Sequence, residues 1–83
     1  MQKAIALEIL TPDKLIYRGS VAQAVMPGVK SPFVILYNHA PLISVLQKGR
    51  LLWRNDEGEH SIEISGGFVE VNNNVITACV ELL

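Results

Sequence analysis

Residues that could do chemistry are few and scattered in this sequence. His39 and His60 lie far apart, and Cys79 is the one cysteine of the chain. A metal site needs His, Cys or carboxylate ligands at short spacings, and a nucleophilic site needs a base beside the nucleophile. Neither pattern occurs, so we predict no catalytic residue, no metal site and no cofactor. An uncharacterised hydrolase stays open as an alternative, because a missing motif is weak evidence.

The glycine pair and the tryptophan have structural explanations. Gly66-Gly67 would suit a phosphate-binding loop if a helix followed, but residues 68–71 alternate like a strand. We interpret these glycines as a bend or bulge. A base-stacking site needs several aromatic residues in a basic groove, so we assign Trp53 to the core or to the edge of an interface. Cys79, within a strand pattern, is interpreted as a small buried apolar residue.

Composition excludes several classes of protein. The 83 residues suffice for one small domain, and 49% hydrophobic against 18% charged residues is typical of a chain that folds. A net charge of −1 without a basic run argues against nucleic acid as a partner. A single cysteine forms no internal disulfide, which is consistent with a reducing compartment. We predict neither a membrane span nor a signal peptide.

Apolar residues recur at every second position along most of the chain, and no helical pattern lasts beyond two turns. This alternation predicts an all-β protein. Turn-forming residues divide the chain into short runs, each of which we predict to be a strand. These runs are residues 5–10, 15–18, 21–26, 33–37, 42–46, 50–55, 60–65, 68–71 and 75–80.

The connections between these runs indicate the architecture. Residues 55–58 (Asn-Asp-Glu-Gly) and the three asparagines at 72–74 are typical of hairpin turns. Turn signals recur along the whole length without a linker or a repeat, which predicts a single-domain β-sandwich or flattened barrel. The connections at 27–33 and 38–42 contain rigid or apolar residues. Such residues occur in connections that bind a partner, and also in connections that are held in place by their own packing. A binding or structural role is therefore favoured over catalysis.

Four segments, taken in order, resemble one family of proteins. They are residues 7–19, Pro27-Gly28, His39-Ala40-Pro41-Leu42 and the Ser-Gly-Gly-Phe-Val-Glu-Val run at 65–71. The family is the epsilon subunit of bacterial and chloroplast F-type ATP synthases, called delta in mitochondria. The resemblance implies a ten-stranded β-sandwich at the foot of the central stalk, which binds the gamma subunit and the c-ring and turns with the rotor.

The resemblance also implies which residues contact each partner. The positions that match the gamma-facing segments are Thr11, His39, Ala40, Pro41, Leu42 and Ser44. The positions in the loop that faces the c-ring are Val29, Lys30, Ser31 and Pro32. Because Lys30 brings a cation to this loop, we expect acceptors or carboxylates on the facing loop of the ring. The alternative function is a free-standing ligand-binding or peptide-binding β-sandwich that uses an open sheet edge.

Several positions depart from the usage of the family. Val34 stands where glycine is usual, Tyr37-Asn38 where Pro-Gly is usual, and Pro32 where an acidic residue is usual. These changes concern the backbone and the charge of one connection and leave the predicted fold unchanged.

The resemblance implies a peripheral location on the cytoplasmic face of the bacterial inner membrane, reached through the partners. In the wider family two C-terminal helices follow the sandwich, block hydrolysis and in some members bind ATP. The sequence stops at Leu83, where that hairpin would begin. We therefore expect a short form, one domain over residues 1–83, without these two functions. The alternative is that the sequence ends inside a longer protein.

Overall fold

The computed structural model describes residues 3–83, which contain eight strands and no helix. The all-β class predicted from the alternation of the sequence is confirmed. The strands are β1 Ile5–Leu10, β2 Leu15–Val21, β3 Gln23–Met26, β4 Phe33–Ile35, β5 Leu42–Leu46, β6 Gly49–Asn55, β7 Gly58–Asn72 and β8 Val75–Leu82.

The strands form one hydrogen-bonded sheet in the order β2-β1-β8-β7-β6-β3-β4, and β5 pairs with β7. Strand β7 is 15 residues long, and its two halves have different partners. The first half pairs with β6, and the second half pairs with β5 and β8. Strand β7 therefore links two layers. The front layer contains β2, β1, β8, the second half of β7 and β5, whereas the back layer contains the first half of β7, β6, β3 and β4.

The core lies between the two layers, and β1 shows how the sequence builds it. Ile5, Leu7 and Ile9 are at most 1% exposed, whereas the residues between them point outward. Burial of such side chains is the main favourable contribution to folding, at about 25 cal/mol per Å² of apolar surface. The other hydrophobic residues of the buried core are Val21, Ala24, Met26, Ile35, Leu46, Leu51, Trp53, Ile64, Val69, Val71, Ile76, Ala78 and Val80.

Trp53 belongs to the core, as one of the two predicted assignments had it. Its ring centroid lies 4.8 Å from that of Tyr17 and 5.6 Å from that of His60. His60 is a half-buried strand residue, and its Nε2 lies 3.1 Å from Oδ1 of Asn55. The prediction for Cys79 is wrong in one respect. Its side chain is only half-buried and lies on the outer face of the front layer, because the buried positions of β8 are the alternate ones.

The glycine pair forms a bulge, as interpreted from the sequence. The register of β7 against β8 shifts between Ile64 and Gly66, and Gly67 has a φ of +149°. A Cβ on Gly67 would lie 2.8 Å from Cα of Val80, so the two strands approach too closely there for a side chain. The bulge bends β7 without interrupting it. The predicted runs 60–65 and 68–71 are therefore one strand, and the described residues contain eight strands rather than the ten that the resemblance implies.

A second glycine also lies within a strand rather than at a break. The sequence predicts that Gly19-Ser20 ends a strand, but β2 continues to Val21 and the bend falls at Ala22. A Cβ on Gly19 would lie 2.5 Å from the hydroxyl oxygen of Tyr17. Gly19 thus leaves space for a neighbouring aromatic ring. Other bounds differ by one or two residues; for example, β4 ends at Ile35 and β8 extends to Leu82.

Candidate partner-binding surface

The outer face of the front layer carries a row of apolar side chains. Val45 pairs with Phe68, Phe68 with Cys79, and Cys79 with Leu10, so the four residues follow one another across four adjacent strands. Directly paired residues share a face, with Cβ atoms about 5 Å apart. Val45 is 64% exposed and Phe68 is 47% exposed. We call these four residues the apolar row.

A hollow of about 570 Å³ lies beside the apolar row. Leu10, Phe68 and Cys79 line it, and Gly66 and Gly67 are among its lining residues. Because these glycines have no side chains, backbone forms part of its wall. The volume falls within the range of about 300–1,000 Å³ that is typical of sites filled by a small molecule or by anchoring side chains.

A second row runs parallel to the apolar row and is mostly polar. Ile43, Glu70, Thr77, Glu8 and Arg18 are successive partners across the front layer. Nε of Arg18 donates to Oε2 of Glu8 at 2.8 Å, so the negative charge of Glu8 is paired with a cation of the same chain. Glu70 is exposed and lies between its two partners, Ile43 and Thr77. The outer face thus combines apolar side chains with an acidic group, which suits a partner that presents apolar and basic residues.

The residues predicted to contact gamma occupy two places. Thr11 follows β1 and lies at the margin of the hollow. Its Oγ1 accepts hydrogen bonds from the amides of Asp13 at 3.3 Å and Lys14 at 3.2 Å, which fixes the turn into β2. The connection before β5 carries half-buried His39 and exposed Ala40 and Pro41.

The two other predicted gamma residues lie in β5 on the inward side. Leu42 pairs with Val71 and Ser44 pairs with Val69, and both valines are buried. Leu42 is half-buried and packs against the core. Because paired residues share a face, Leu42 and Ser44 support β5 from inside the sandwich, whereas the residues between and after them point outward.

The connection at His39 is tied to the hairpin between β7 and β8. The amide N–H of Asn38 donates to Oδ1 of Asn74 at 2.6 Å, and Nδ2 of Asn74 donates to Oδ1 of Asn38 at 3.1 Å. Asn38 has a φ of 65°, so it adopts the left-handed conformation that asparagine tolerates better than most residues. Asn73 and Asn74 have φ values of 54° and 63°, as a type I′ turn requires. Both predicted hairpins are confirmed.

The residues predicted to contact the c-ring are all exposed. Val29, Lys30, Ser31 and Pro32 form the connection between β3 and β4. The base of this connection is held against the end of β5, because Gly28 bridges Leu46 and the amide of Gln47 donates to the carbonyl of Pro27 at 2.9 Å. A hollow bordered by Val45, Val29 and Lys30 shows that this connection adjoins the apolar row.

Sequence reasoning did not find the apolar row. A signal was present in β5, where Leu42 and Leu46 share one face of the strand while Ile43 and Val45 occupy the other. Apolar residues on both faces of a strand indicate that both faces are covered, one by the core and one by something else. Phe68 gave a similar signal, since it precedes the buried Val69 and must point the other way.

The described residues hold no group of three or more His, Cys, Asp or Glu side chains that would suit a metal ion. Between residues 3 and 83 there is also no helix long and apolar enough to cross a membrane. The surface offers a hydrogen-bonded sheet face with exposed apolar side chains and two connections that are held by hydrogen bonds. These features are typical of a small β-sandwich that contacts other proteins.

Comparison with known proteins identifies the family. Residues 4–82 match the family described as "ATP synthase, Delta/Epsilon chain, beta-sandwich domain". This chain belongs to that family, which confirms the resemblance seen in the sequence.

Relatives agree with this assignment, and two solved structures share the fold. The ATP synthase epsilon chain of Nitratidesulfovibrio vulgaris strain Miyazaki F is 41% identical over 98% of this chain, which spans 60% of that relative's length. The epsilon chain of Chlorobium limicola is 42% identical over 87% of this chain and 83% of its own.

A chain of the Euglena gracilis mitochondrial ATP synthase structure (OSCP/F1/c-ring) has a TM-score of 0.88 at 24% identity, covering 96% of this chain and 52% of that one. One from the central stalk and c-ring of the Tetrahymena thermophila enzyme has a TM-score of 0.78 at 22% identity, covering 96% of this chain and 64% of that one. At these identities the solved structures support the fold.

Proposed function

We propose that this protein is a non-catalytic rotor subunit of a proton-translocating F-type ATP synthase, in which it couples gamma to the c-ring. The observation that carries the proposal is the exposed apolar row on a rigid sheet face, in a chain of the ATP synthase delta/epsilon family. A subunit of this kind is peripheral, on the cytoplasmic face of the bacterial inner membrane, and is held there by its partners.

The fold suits the transmission of torque between two partners. A part that transmits torque must not yield, and a densely packed sandwich has low compressibility. The connection at 29–32 joins the end of β5 through the Gly28–Leu46 bridge. Strand β5 in turn carries Val45 of the apolar row. The c-ring surface and the gamma surface are therefore linked by backbone hydrogen bonds over a short path.

Gamma binding is assigned to the outer face of the front layer. Phe68 and Val45 supply exposed apolar area, and the hollow beside them accepts an apolar side chain of the partner. Large side chains in such pockets contribute most of the affinity at protein interfaces. Thr11, at one end, and the His39 connection, at the other, complete the proposed contact.

Phe68→Asp tests the gamma site, and Val34→Asp is its matched control. Both residues are 47% exposed, but Val34 lies in β4 of the back layer. We expect Phe68→Asp to weaken binding to gamma at least tenfold, which is about 1.4 kcal/mol, and Val34→Asp to change it less than threefold. Binding is measured by calorimetry, and circular dichroism checks that both variants fold. Equal effects of the two substitutions would contradict the assignment.

The c-ring contact is tested by crosslinking from a cysteine at Ser31, in a Cys79→Ser background that removes the native thiol. Ser61→Cys, on an exposed position of the back layer, is the control. In the assembled enzyme we expect the cysteine at 31 to capture the c subunit and the control to capture none. Capture of alpha or beta from position 31, without the ring, would reject this orientation.

A free-standing ligand-binding sandwich is the second candidate, and the hollow of about 570 Å³ is the observation that favours it. The two functions differ in what the purified chain retains. Native mass spectrometry that shows a bound small molecule, together with failure to bind gamma, would favour the second candidate.

A further inference from the structure

The connection that carries His39, Ala40 and Pro41 depends on a residue from a distant hairpin. Asn74 lies 36 residues further along the chain, and its side chain makes both hydrogen bonds to Asn38. The amide oxygen accepts from the backbone of Asn38, and the amide nitrogen donates to the side chain of Asn38. One side chain thus satisfies a backbone group and a side-chain group of the connection at once.

The conformation fixed by these bonds is unusual for a residue with a side chain. Asn38 has a φ of 65°, in the left-handed region. This region is unfavourable in free energy for a residue with a side chain, so other contacts must hold Asn38 there. The amide of His39 donates to the carbonyl of Leu36 at 3.1 Å, which closes the turn around Asn38. His39 immediately follows Asn38, so the conformation of Asn38 sets the direction of the backbone through His39, Ala40 and Pro41.

We propose that Asn74 is a positioning residue for gamma binding: through Asn38 it holds the 38–41 connection in the conformation that presents His39, Ala40 and Pro41 to the partner. The inference rests on the function proposed above for this surface. Asn74 itself lies outside the apolar row. It holds the connection in its binding conformation already in the free chain, before gamma binds. If the connection is in its binding conformation for only a fraction of the time, the apparent Kd equals the intrinsic Kd divided by that fraction.

The turn supplies a matched pair of variants. Asn74→Gly removes the amide but tolerates positive φ, and Asn73→Gly makes the same change at the neighbouring position, whose φ is 54°. We expect Asn74→Gly to weaken gamma binding about tenfold, as the loss of two hydrogen bonds suggests, and Asn73→Gly to leave it within threefold. Asn74→Asp keeps the acceptor for the Asn38 N–H, so we expect that amide to stay protected in this variant.

Amide hydrogen exchange of the free chain provides a readout that is independent of gamma. We expect exchange at Asn38 to be about tenfold faster in Asn74→Gly than in Asn73→Gly, since one protecting bond is lost. Faster exchange together with weaker gamma binding supports the inference. Unchanged exchange at Asn38 in Asn74→Gly, or fast exchange there in Asn74→Asp, would overturn it.

The Phe68→Asp variant separates this inference from the proposed function. If Asn74→Gly mobilises the connection and gamma affinity is unchanged while Phe68→Asp weakens binding, the positioning role is overturned and the gamma surface stands. If neither variant affects gamma binding, both the surface and the positioning role are overturned.

Discussion

Three glycines of this chain separate two effects that usually occur together, the backbone conformation and the space for a side chain. Gly58 has a φ of +116° and open space around a Cβ. Gly66 lacks a positive φ, and its Cβ would meet only the carbonyl oxygen of Leu46 at 3.6 Å. Gly67 has both constraints, a φ of +149° and a Cβ that would lie 2.8 Å from Cα of Val80. Alanine substitution at the three positions therefore gives three different outcomes.

The magnitudes follow from these contacts. Gly58→Ala should destabilise by about 1–3 kcal/mol, the usual cost of a residue held in a sparsely populated conformation. Gly67→Ala adds overpacking of about 1–3 kcal/mol to the same backbone cost, because backbone atoms of β8 cannot move aside cheaply. Gly66→Ala should be neutral or stabilise by up to about 1 kcal/mol through the unfolded state. A domain of this size has a stability of about 4–12 kcal/mol, so Gly67→Ala removes a large fraction of it.

Urea unfolding followed by circular dichroism measures this series. With a slope near 1 kcal/mol per M for a small domain, a loss of about 3 kcal/mol lowers the midpoint by about 3 M. We expect the midpoints to fall in the order Gly66→Ala, Gly58→Ala, Gly67→Ala. If Gly67→Ala were no less stable than Gly58→Ala, the close approach of β7 and β8 at the bulge would be refuted as the reason for the glycine.

Two further predictions concern the core and the surface. Leu51→Ala, at a fully buried position, should destabilise by about 2–5 kcal/mol in the same urea experiment, whereas Leu36→Ala, at a position 53% exposed, should cost less than about 1 kcal/mol. Arg18→Ala breaks the ion pair with Glu8 and should cost less than about 1 kcal/mol, since the Arg18 side chain is 68% exposed. That effect should shrink further at high salt, and a larger, salt-independent loss would show that Arg18 packs rather than pairs.

Local patterns predicted the local parts of this fold well. Strand β1 has strict alternation and a clear stop at Thr11, and its predicted bounds match the structure. Both hairpins carry turn residues whose positive φ values explain the choice of Asn and Gly. Two of the errors occur at glycines that leave space for another group. Gly67 makes room for β8, which is distant in sequence, and Gly19 makes room for the ring of Tyr17, two positions before it. In both cases the local pattern predicts the end of a strand.

The candidate site was predicted only in part, for a related reason. The resemblance predicts partner contacts at residues 29–32 and 39–42, and these contacts stay predictions. The apolar row depends on pairing between β5, β7, β8 and β1, which no local pattern specifies. The same holds for Asn74, since its contact with Asn38 joins two connections that are far apart in the sequence.

Strand β5 shows most clearly what pairing decides, and it supplies a last test. Its apolar residues occupy both faces, so the sequence alone leaves open which face is buried. The pairing of Ser44 with buried Val69 settles the matter, because it turns Ser44 inward and leaves Ile43 74% exposed.

The Ile43→Asp variant should therefore have a stability within about 1 kcal/mol of the unchanged protein and should bind gamma more weakly. Ser44→Asp should lose about 1–3 kcal/mol of stability, because it brings a carboxylate to a half-buried position beside Val69. Urea unfolding and calorimetry with gamma measure both variants. If Ser44→Asp were as stable as Ile43→Asp and bound gamma more weakly, Ser44 would face the partner and the inward direction assigned to it would be wrong.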